Sequence, residues 1–492
     1  MAHYDSSHFS GFDSSSRTPE TEQKAMANEP SPPLPSVCII GAGPTGITTA
    51  KRMKEFGIPF DCYEASDEVG GNWYYKNPNG MSACYQSLHI DTSKWRLAFE
   101  DFPVSADLPD FPHHSELFQY FKDYVEHFGL RESIIFNTSV VAAERDTDGL
   151  WTITRSDGEV RTYDVLMVCN GHHWDPNIPD YPGEFDGGPH AQPQLQRPVR
   201  PGRHARQKGS RGRNGQLRLG YCLRTGPEIP RRQAHRVGSP WSLGTAEISR
   251  RCTRRQTDHP RLDAAWSTTV PESSIPRQES GNDGSYGLPK PDHRPPFEAH
   301  PPSASGEFLG RAGSGDITFK PAITKLDGKQ VHFADGTAED VDVVICATGY
   351  NISFPFFSDP NLLPDKDNRF PLFKRMMKPG IDNLFFMGLA QPMPTLVNFA
   401  EQQSKLVAAY LTGKYQLPSA NEMQEITKAD EAYFLAPLLQ VTTPHDSARV
   451  RSYVRNMNKE IAKGTKRAAA SGNKLPVAAR AAAHELEKAD RA

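Results

Sequence analysis

Ser36-Val37-Cys38-Ile39-Ile40-Gly41-Ala42-Gly43-Pro44-Thr45-Gly46 is the stretch that decides the fold of this 492-residue chain. Ser36 to Ile40 is a short apolar run of strand type, and from Ile47 to Phe56 the apolar residues fall at helical spacing. A strand, a G-x-G-x-x-G turn and a helix are the parts that cradle a pyrophosphate on backbone amides. Gly41 permits the tight turn, Gly43 lets the backbone approach the phosphates, and Gly46 lets helix and strand pack closely; Pro44 and Thr45 open the helix. Phe60-Asp61-Cys62-Tyr63 reads as the second strand and ends in Glu64, 18 residues after Gly46. A carboxylate at that point is placed to accept a hydrogen bond from a ribose hydroxyl.

Working outward, Gly70-Gly71-Asn72-Trp73 follows Glu64 closely. A paired glycine and an aromatic just after the ribose acid resemble flavoproteins with two dinucleotide sites, and the resemblance selects FAD over NAD for this first site. It implies that Glu64 holds the adenosine ribose, with Gly71, Asn72 and Trp73 on the flavin side. Tyr85-Gln86-Ser87-Leu88-His89-Ile90-Asp91-Thr92-Ser93-Lys94, Phe99-Glu100-Asp101-Phe102-Pro103 and Phe111-Pro112-His113-His114 then resemble the flavin-containing monooxygenase family, the class B flavoprotein monooxygenases. Tyr120 to Phe128 continues the likeness on a helix.

In that family the segment around Asp91 and Thr92 lies beneath the isoalloxazine, and Asn usually stands where this chain has Asp91. An ionised carboxylate there repels an anionic flavin unless its proton affinity is raised or a cation pairs it. Asp91 is therefore the one candidate for tuning the flavin site, and it leaves open whether the substrate is a ketone. Phe136-Asn137-Thr138-Ser139-Val140 resembles the segment whose Val touches adenine. Val165 to Gly171, with Asn170, His172 and Pro176 in it or just behind, and Val341 to Tyr350, with Ala347-Thr348-Gly349-Tyr350, resemble the places where the chain leaves and re-enters the FAD domain. Asn383 to Leu389 resembles the last strand of that domain. Gln391-Pro392 and Glu401-Gln402-Gln403 fall where relatives start a helix facing the flavin.

Composition sets wider bounds. A net charge of -3 gives no reason to expect nucleic acid as a partner. No run of about 18 apolar residues is present, so no membrane span is expected. The first 35 residues are rich in Ser, Pro and Glu without an apolar core, and read as a disordered extension rather than a secretion signal. Cys38, Cys169 and Cys346 lie in apolar runs, as reduced cysteines of a cytoplasmic protein would. No metal site is indicated.

The average charge conceals a break. Residues 191–280 carry 17 Arg and 1 Lys against 6 acids, a balance of +12, leaving 38 basic and 53 acidic residues elsewhere, or -15. The window is full of Pro, Gln, Ser and Gly and shows no sustained period. So long a structureless insert is unusual in a compact enzyme. The family places here a linker F-x-G-x-x-x-H-x-x-x-Y/W, a second strand and a G-x-G-N-S turn for NADPH. This chain begins the linker at Phe185-Asp186-Gly187 and then loses it.

Permitted codons read one nucleotide later restore it. His190 to Pro198 gives M-H-S-H-S-Y-N-D-P, Arg206 to Thr225 gives G-K-K-V-V-V-V-G-M-G-N-S-A-L-D-I-A-S-E-L, and Ala234 to Leu243 gives L-I-V-S-A-R-R-G-A-W. These are the linker, a strand with its phosphate turn and helix start, and a strand followed by paired arginines suited to a 2′-phosphate. Three ordered matches point to a shifted frame that recovers near Tyr286.

The expected architecture is α/β, with two Rossmann-like dinucleotide-binding domains and the FAD domain split by an inserted NADPH domain. Residues 1–35 are the extension, 36–187 the first part of the FAD domain and 188–285 the position of the NADPH domain, disordered as written. Residues 286–420 return to the FAD domain, and 421–492 form a helical region and tail, Ala-rich and solvated from Lys463. The resemblance implies that NADPH reduces FAD, that O2 adds to the reduced flavin at C4a, and that the C4a-hydroperoxyflavin passes one oxygen to nitrogen or sulfur of a small substrate. Baeyer–Villiger oxidation of a ketone, and a flavin-binding product without turnover, are the alternatives.

Overall fold

The computed structural model describes residues 32–186, 190–191, 208–211, 217–221, 311, 314–366, 368–393, 395–435 and 447–484. Nearly all of these fall in one compact unit made of residues 33–226, 289–304 and 314–492. Most of the expected extension, and most of the window 188–285, lie outside the described residues. The end of the extension is ordered: Leu34 packs on the core, because an apolar side chain beside the first strand has somewhere to be buried.

In chain order the elements that build the site are β1 (Val37–Ile40), α1 (Pro44–Glu55), β2 (Phe60–Tyr63), α2 (His114–His127) and β3 (Ile134–Ile135). An antiparallel meander follows, β4 (Val140–Arg145), β5 (Trp151–Arg155) and β6 (Val160–Tyr163), and leads into β7 (Val165–Val168). Far along the chain come β8 (Leu384–Phe386), α3 (Leu396–Leu411), α4 (Ala420–Leu435) and α5 (Val450–Ala470).

The central sheet has the order β8-β7-β1-β2-β3, with every pair parallel. Both faces are covered, which is why β1 and β7 read as unbroken apolar runs rather than alternating ones. Val37, Ile39, Val165, Met167 and Phe385 pack with α1, α2 and α3, while Cys38, Ile40, Leu166, Val168 and Phe386 pack with Trp151 and Ile153 of the meander and with Phe354. Period two along each strand sends alternate residues to the two cores. Because β8 lies beside β7, one sheet joins segments separated by more than two hundred residues of sequence.

The two stretches that flank that interval also meet. Asp175–Pro176 pairs antiparallel with Tyr350–Asn351, and the Asn177 N–H donates to the Gly349 carbonyl at 2.9 Å. Beyond them, Gly183–Phe185 runs parallel to the strand Ile323–Gly328 in a four-stranded sheet with its own small core around Leu326, Val331 and Phe333. Lys208–Arg211 and Leu217–Tyr221, inside the window without sequence periodicity, pair antiparallel with each other, and the second pairs with Ile345–Cys346.

The C-terminal stretch is more embedded than its Ala-rich, charged composition suggests. Ala468, Val477 and Ala481 are buried, and Asp164 accepts hydrogen bonds from the Arg480 and Ala481 N–H groups at 2.6 and 2.9 Å as well as from Ser36. Small apolar residues fill a docking face without a hydrophobic run that sequence alone would flag. The five described cysteines, Cys38, Cys62, Cys84, Cys169 and Cys346, are buried free thiols.

Candidate functional site

The glycine turn stands at the carboxyl end of β1, in the middle of the sheet. Gly41 has φ +98°, and a Cβ there would sit 2.8 Å from the Cys169 carbonyl oxygen beyond β7. A Cβ on Gly46 would drive into the Gly41 carbonyl, well inside van der Waals contact. Neither position admits a side chain. Gly43 differs, since a Cβ there would meet nothing closer than the Gly71 Cα at 3.7 Å. Gly43 caps α1 with extended backbone and no side-chain hydrogen bond, Pro44 supplies a helical φ, and the first turn carries no acidic residue. A twelve-residue helix thus presents its N-terminal amides beside Gly43, the arrangement a diphosphate requires.

Glu64 closes the turn from the side. It is 5% exposed; its Oε2 accepts the Ala42 N–H at 2.6 Å and its Oε1 accepts the Ser66 N–H at 2.8 Å. Burial raises the Glu64 carboxyl from its ordinary range, and the two amide donors oppose the rise. Each oxygen retains a second lone pair for a hydroxyl donor. The acid therefore braces the glycine turn against β2 before any ligand is considered, a task the sequence reading did not give it.

A second glycine pair lies directly on the first. The Gly70 N–H donates to the Ala42 carbonyl at 3.1 Å, and Gly70 and Gly71 have φ +108° and +52°. A Cβ on Gly71 would stand 3.1 Å from the Gly43 Cα, and one on Gly70 would strike the Phe118 ring of α2. Asn72 is exposed, and its Oδ1 accepts the Ala83 N–H at 2.7 Å; Trp73 is half-buried against the main core.

The segment 88–90 runs antiparallel to 112–114 through the Ile90 N–H to Pro112 carbonyl and His114 N–H to Leu88 carbonyl bonds. This leaves Asp91 exposed and Thr92 half-buried at its end. The Tyr85 hydroxyl is raised by burial first, with Cys84 and the Asp91 charge adding to it. Below them Lys94, 3% exposed, donates through Nζ to the carbonyls of Ser105, Ala106 and Leu108. No sequence signal marked Lys94 as the anchor of that loop.

The remaining predicted residues are more scattered. Val140 opens β4 and packs in the second core with Trp151 and Ile153. The Thr348 hydroxyl donates to the Asn177 carbonyl, and Gly349 has φ +85° in the paired crossing. Gln391–Met393 is a short strand paired with Ser447–Arg449 rather than the start of a helix. The helix begins only at Leu396, after an extended Thr395. Pro392 has no N–H for a helical bond, and Met393 precedes another proline in the sequence, which disfavours helical backbone there.

Two residues of the segments likened to the last strand and the flavin-facing helix have contacts that the sequence did not indicate. Gly388, φ +71°, lies on the Thr45 side chain, and its N–H donates to Gln403 Oε1 at 2.8 Å. Glu401, 3% exposed on α3, accepts the Glu100 N–H at 3.1 Å, and burial pushes its carboxyl up to about 7. Among the described residues no group of His, Cys, Asp or Glu could hold a metal ion, and no helix is long and apolar enough to cross a membrane.

A parallel sheet with a bare-backbone phosphate cradle at its switch point and an acid at the end of the second strand defines a dinucleotide-binding α/β protein. The family model described as flavin-binding monooxygenase-like matches residues 35–191 and 281–465. The chain is 30% identical over 421 residues to flavin-containing monooxygenase 5 of Rattus norvegicus, covering 80% of this chain and 77% of that protein. It is 30% identical over 422 residues to dimethylaniline monooxygenase [N-oxide-forming] 2 of Cavia porcellus, with the same shares covered. Its fold is similar to that of S-allyl-L-cysteine S-oxygenase from Allium sativum (TM-score 0.52, 21% identity, 88% of this chain and 93% of that one). It is also similar to cyclohexanone monooxygenase from Rhodococcus sp. Phi1 bound to NADP+ (TM-score 0.54, 16% identity, 88% and 98% covered). The chain belongs to the flavin-binding monooxygenase-like family. Its class is that of the flavin-dependent monooxygenases, whose cofactors are FAD and NADPH.

Proposed function

We propose that this protein places one atom of O2 on a nitrogen or sulfur of a small soft nucleophile, and that it works in the cytoplasm. The observation that carries the reading is the cradle itself: a Cβ on Gly43, at the N-terminus of α1, would meet only the Gly71 backbone at an ordinary contact distance, while every neighbouring glycine is walled in by backbone or a ring. Bound there, FAD would supply the oxygen-activating chemistry. The chain's own part is to grip the diphosphate on the amides of α1, to hold the ribose beside Glu64, and to set Asp91 and Thr92 at the edge of the ring site. The leaning toward nitrogen or sulfur rests on the N-oxide-forming relative and on the Tyr that ends the reframed linker.

A second reading has its own support. The family match breaks off at 191 and resumes at 281, and the +12 charge balance fills the same window. We infer that residues 188–285 stand where an NADPH domain belongs and are translated out of frame, so that the chain as written takes up FAD without being reduced by NADPH.

Purified full-length protein decides between them. Yellow protein that NADPH bleaches, and that consumes O2 with a tertiary amine or a thioether, supports turnover. Yellow protein inert to NADPH but bleached by dithionite supports the shifted frame, and sequencing the transcript across codons 185–290 checks it directly. Oxygenation of cyclic ketones in preference to amines and thioethers overturns the substrate assignment, and colourless folded protein that refuses FAD overturns the flavin reading altogether.

A further inference from the structure

The turn after β8 is held by one buried amide. Gly388 follows β8 with φ +71°, and a Cβ on it would meet the Thr45 side chain, with Cγ2 3.0 Å away. The backbone of this turn therefore lies directly on the second residue of α1. Its N–H has one acceptor, Oε1 of Gln403 at 2.8 Å, and Gln403 is 0% exposed in the middle of α3. The other end of that amide is fixed as well. Nε2 of Gln403 donates to the Arg375 carbonyl at 3.3 Å, and the side chain is also hydrogen-bonded to Tyr453 of α5.

Tyr453 in turn donates to the Lys374 carbonyl at 2.9 Å, and Lys374 and Arg375 hold φ of +49° and +57°, a backbone that residues with a Cβ rarely adopt. An acceptor is needed on one side of the amide and a donor on the other, so the orientation of Gln403 is determined by its surroundings.

We infer that Gln403 is a positioning residue for flavin binding: it sets the height of the Gly388 turn against the first turn of α1 and thereby the shape of the diphosphate cradle. This rests on the reading of that helix end as the FAD site. Without the acceptor, the Gly388 N–H is left unpaired in a dry site and the turn must shift to find a partner. Thr45 is in contact with that turn, so the shift reaches α1.

The test uses the full-length protein and three variants. Gln403→Leu removes both polar ends, Gln403→Asn withdraws the amide by one methylene, and Tyr453→Phe removes the hydroxyl while keeping the bond to Gly388. FAD dissociation constants, the visible spectrum of the bound flavin and the melting temperature of each apoprotein are measured. We expect Gln403→Leu and Gln403→Asn to weaken FAD binding by about tenfold or more and to alter the flavin spectrum. Tyr453→Phe lowers the melting temperature and leaves the dissociation constant within about twofold.

Should Gln403→Leu fail to fold, Gln403→Asn carries the comparison. Gln403 variants that lose melting temperature yet bind FAD with wild-type affinity and spectrum overturn the inference and leave the flavin reading standing. Folded wild-type protein that takes up no FAD overturns both.

Discussion

Glu64 and Glu401 are buried to nearly the same degree, 5% and 3% exposed, but they stand in different company. Glu64 lies between two backbone N–H groups, one for each oxygen. Glu401 has the Glu100 N–H on one oxygen and the acids Glu100 and Asp101 close by. Glu100 is itself paired with Lys405, and Asp101 with Lys51. Burial raises both carboxyls; the two amide donors oppose the rise at Glu64, while at Glu401 the Glu100 N–H and the Lys405 charge oppose it and the charges of Glu100 and Asp101 add to it. Equal burial therefore does not mean equal function. The acid at the glycine turn braces backbone, and the acid on α3 stands beside other acids with its carboxyl raised to about 7.

The largest effect we expect tests the turn that Glu64 braces. Gly46→Ala puts a methyl group into the Gly41 carbonyl, between helix and strand backbone that cannot move apart cheaply. It should cost more than about 3 kcal/mol and abolish flavin uptake, read from denaturant midpoints and the visible spectrum of the purified protein. Gly46→Ala protein as stable and as yellow as wild type would show that the turn is looser than its contacts imply.

Next, Glu64→Ala leaves the Ala42 and Ser66 N–H groups buried without their acceptor. Urea unfolding of the apoprotein should show a loss of about 2–4 kcal/mol. A Glu64→Ala protein as stable as wild type would show that the two amides find other partners and that Glu64 is no brace.

The smallest effect has the opposite sign. The Glu401 carboxyl rises from an ordinary 4.5 to about 7 in the folded protein. The folded state therefore holds this proton more tightly than the unfolded chain. The stability this contributes is fully present below pH 4.5 and is lost as pH rises through 7. Glu401→Gln removes that loss, so it should stabilise the protein by about 1–2 kcal/mol at pH 8 and change little at pH 5. Melting curves of wild type and variant that stay parallel across this range would place Glu401 outside the titration.

Much of the candidate site is legible in the sequence. Gly41, Gly43, Gly46 and Glu64 announce themselves because a strand, a bare turn, a helix and an acid must follow one another at nearly fixed spacing to bring amides to a phosphate. Gln403 and Lys94 did not, because their partners are backbone groups supplied by other elements: Gly388 and Arg375 for one, three carbonyls of the 105–108 loop for the other. Nothing in the residues around a glutamine or a lysine records which distant peptide group it will face. The start of α3 was misplaced for a local reason, since the prolines after Gln391 hold that stretch extended and the helix waits for Thr395.

By itself the sequence determined what depends on neighbours along the chain: the period of the strands, the freedom of glycines in the first turn, and the family the motifs belong to. It also exposed the break in composition from 191 to 280, because charge and period are properties of a segment. That β8 lies beside β7, that Gly388 rests on Thr45, and that Glu64 faces two amides while Glu401 has acids close by was settled in three dimensions. Those facts depend on which groups meet across hundreds of residues, and burial and hydrogen bonding act through space.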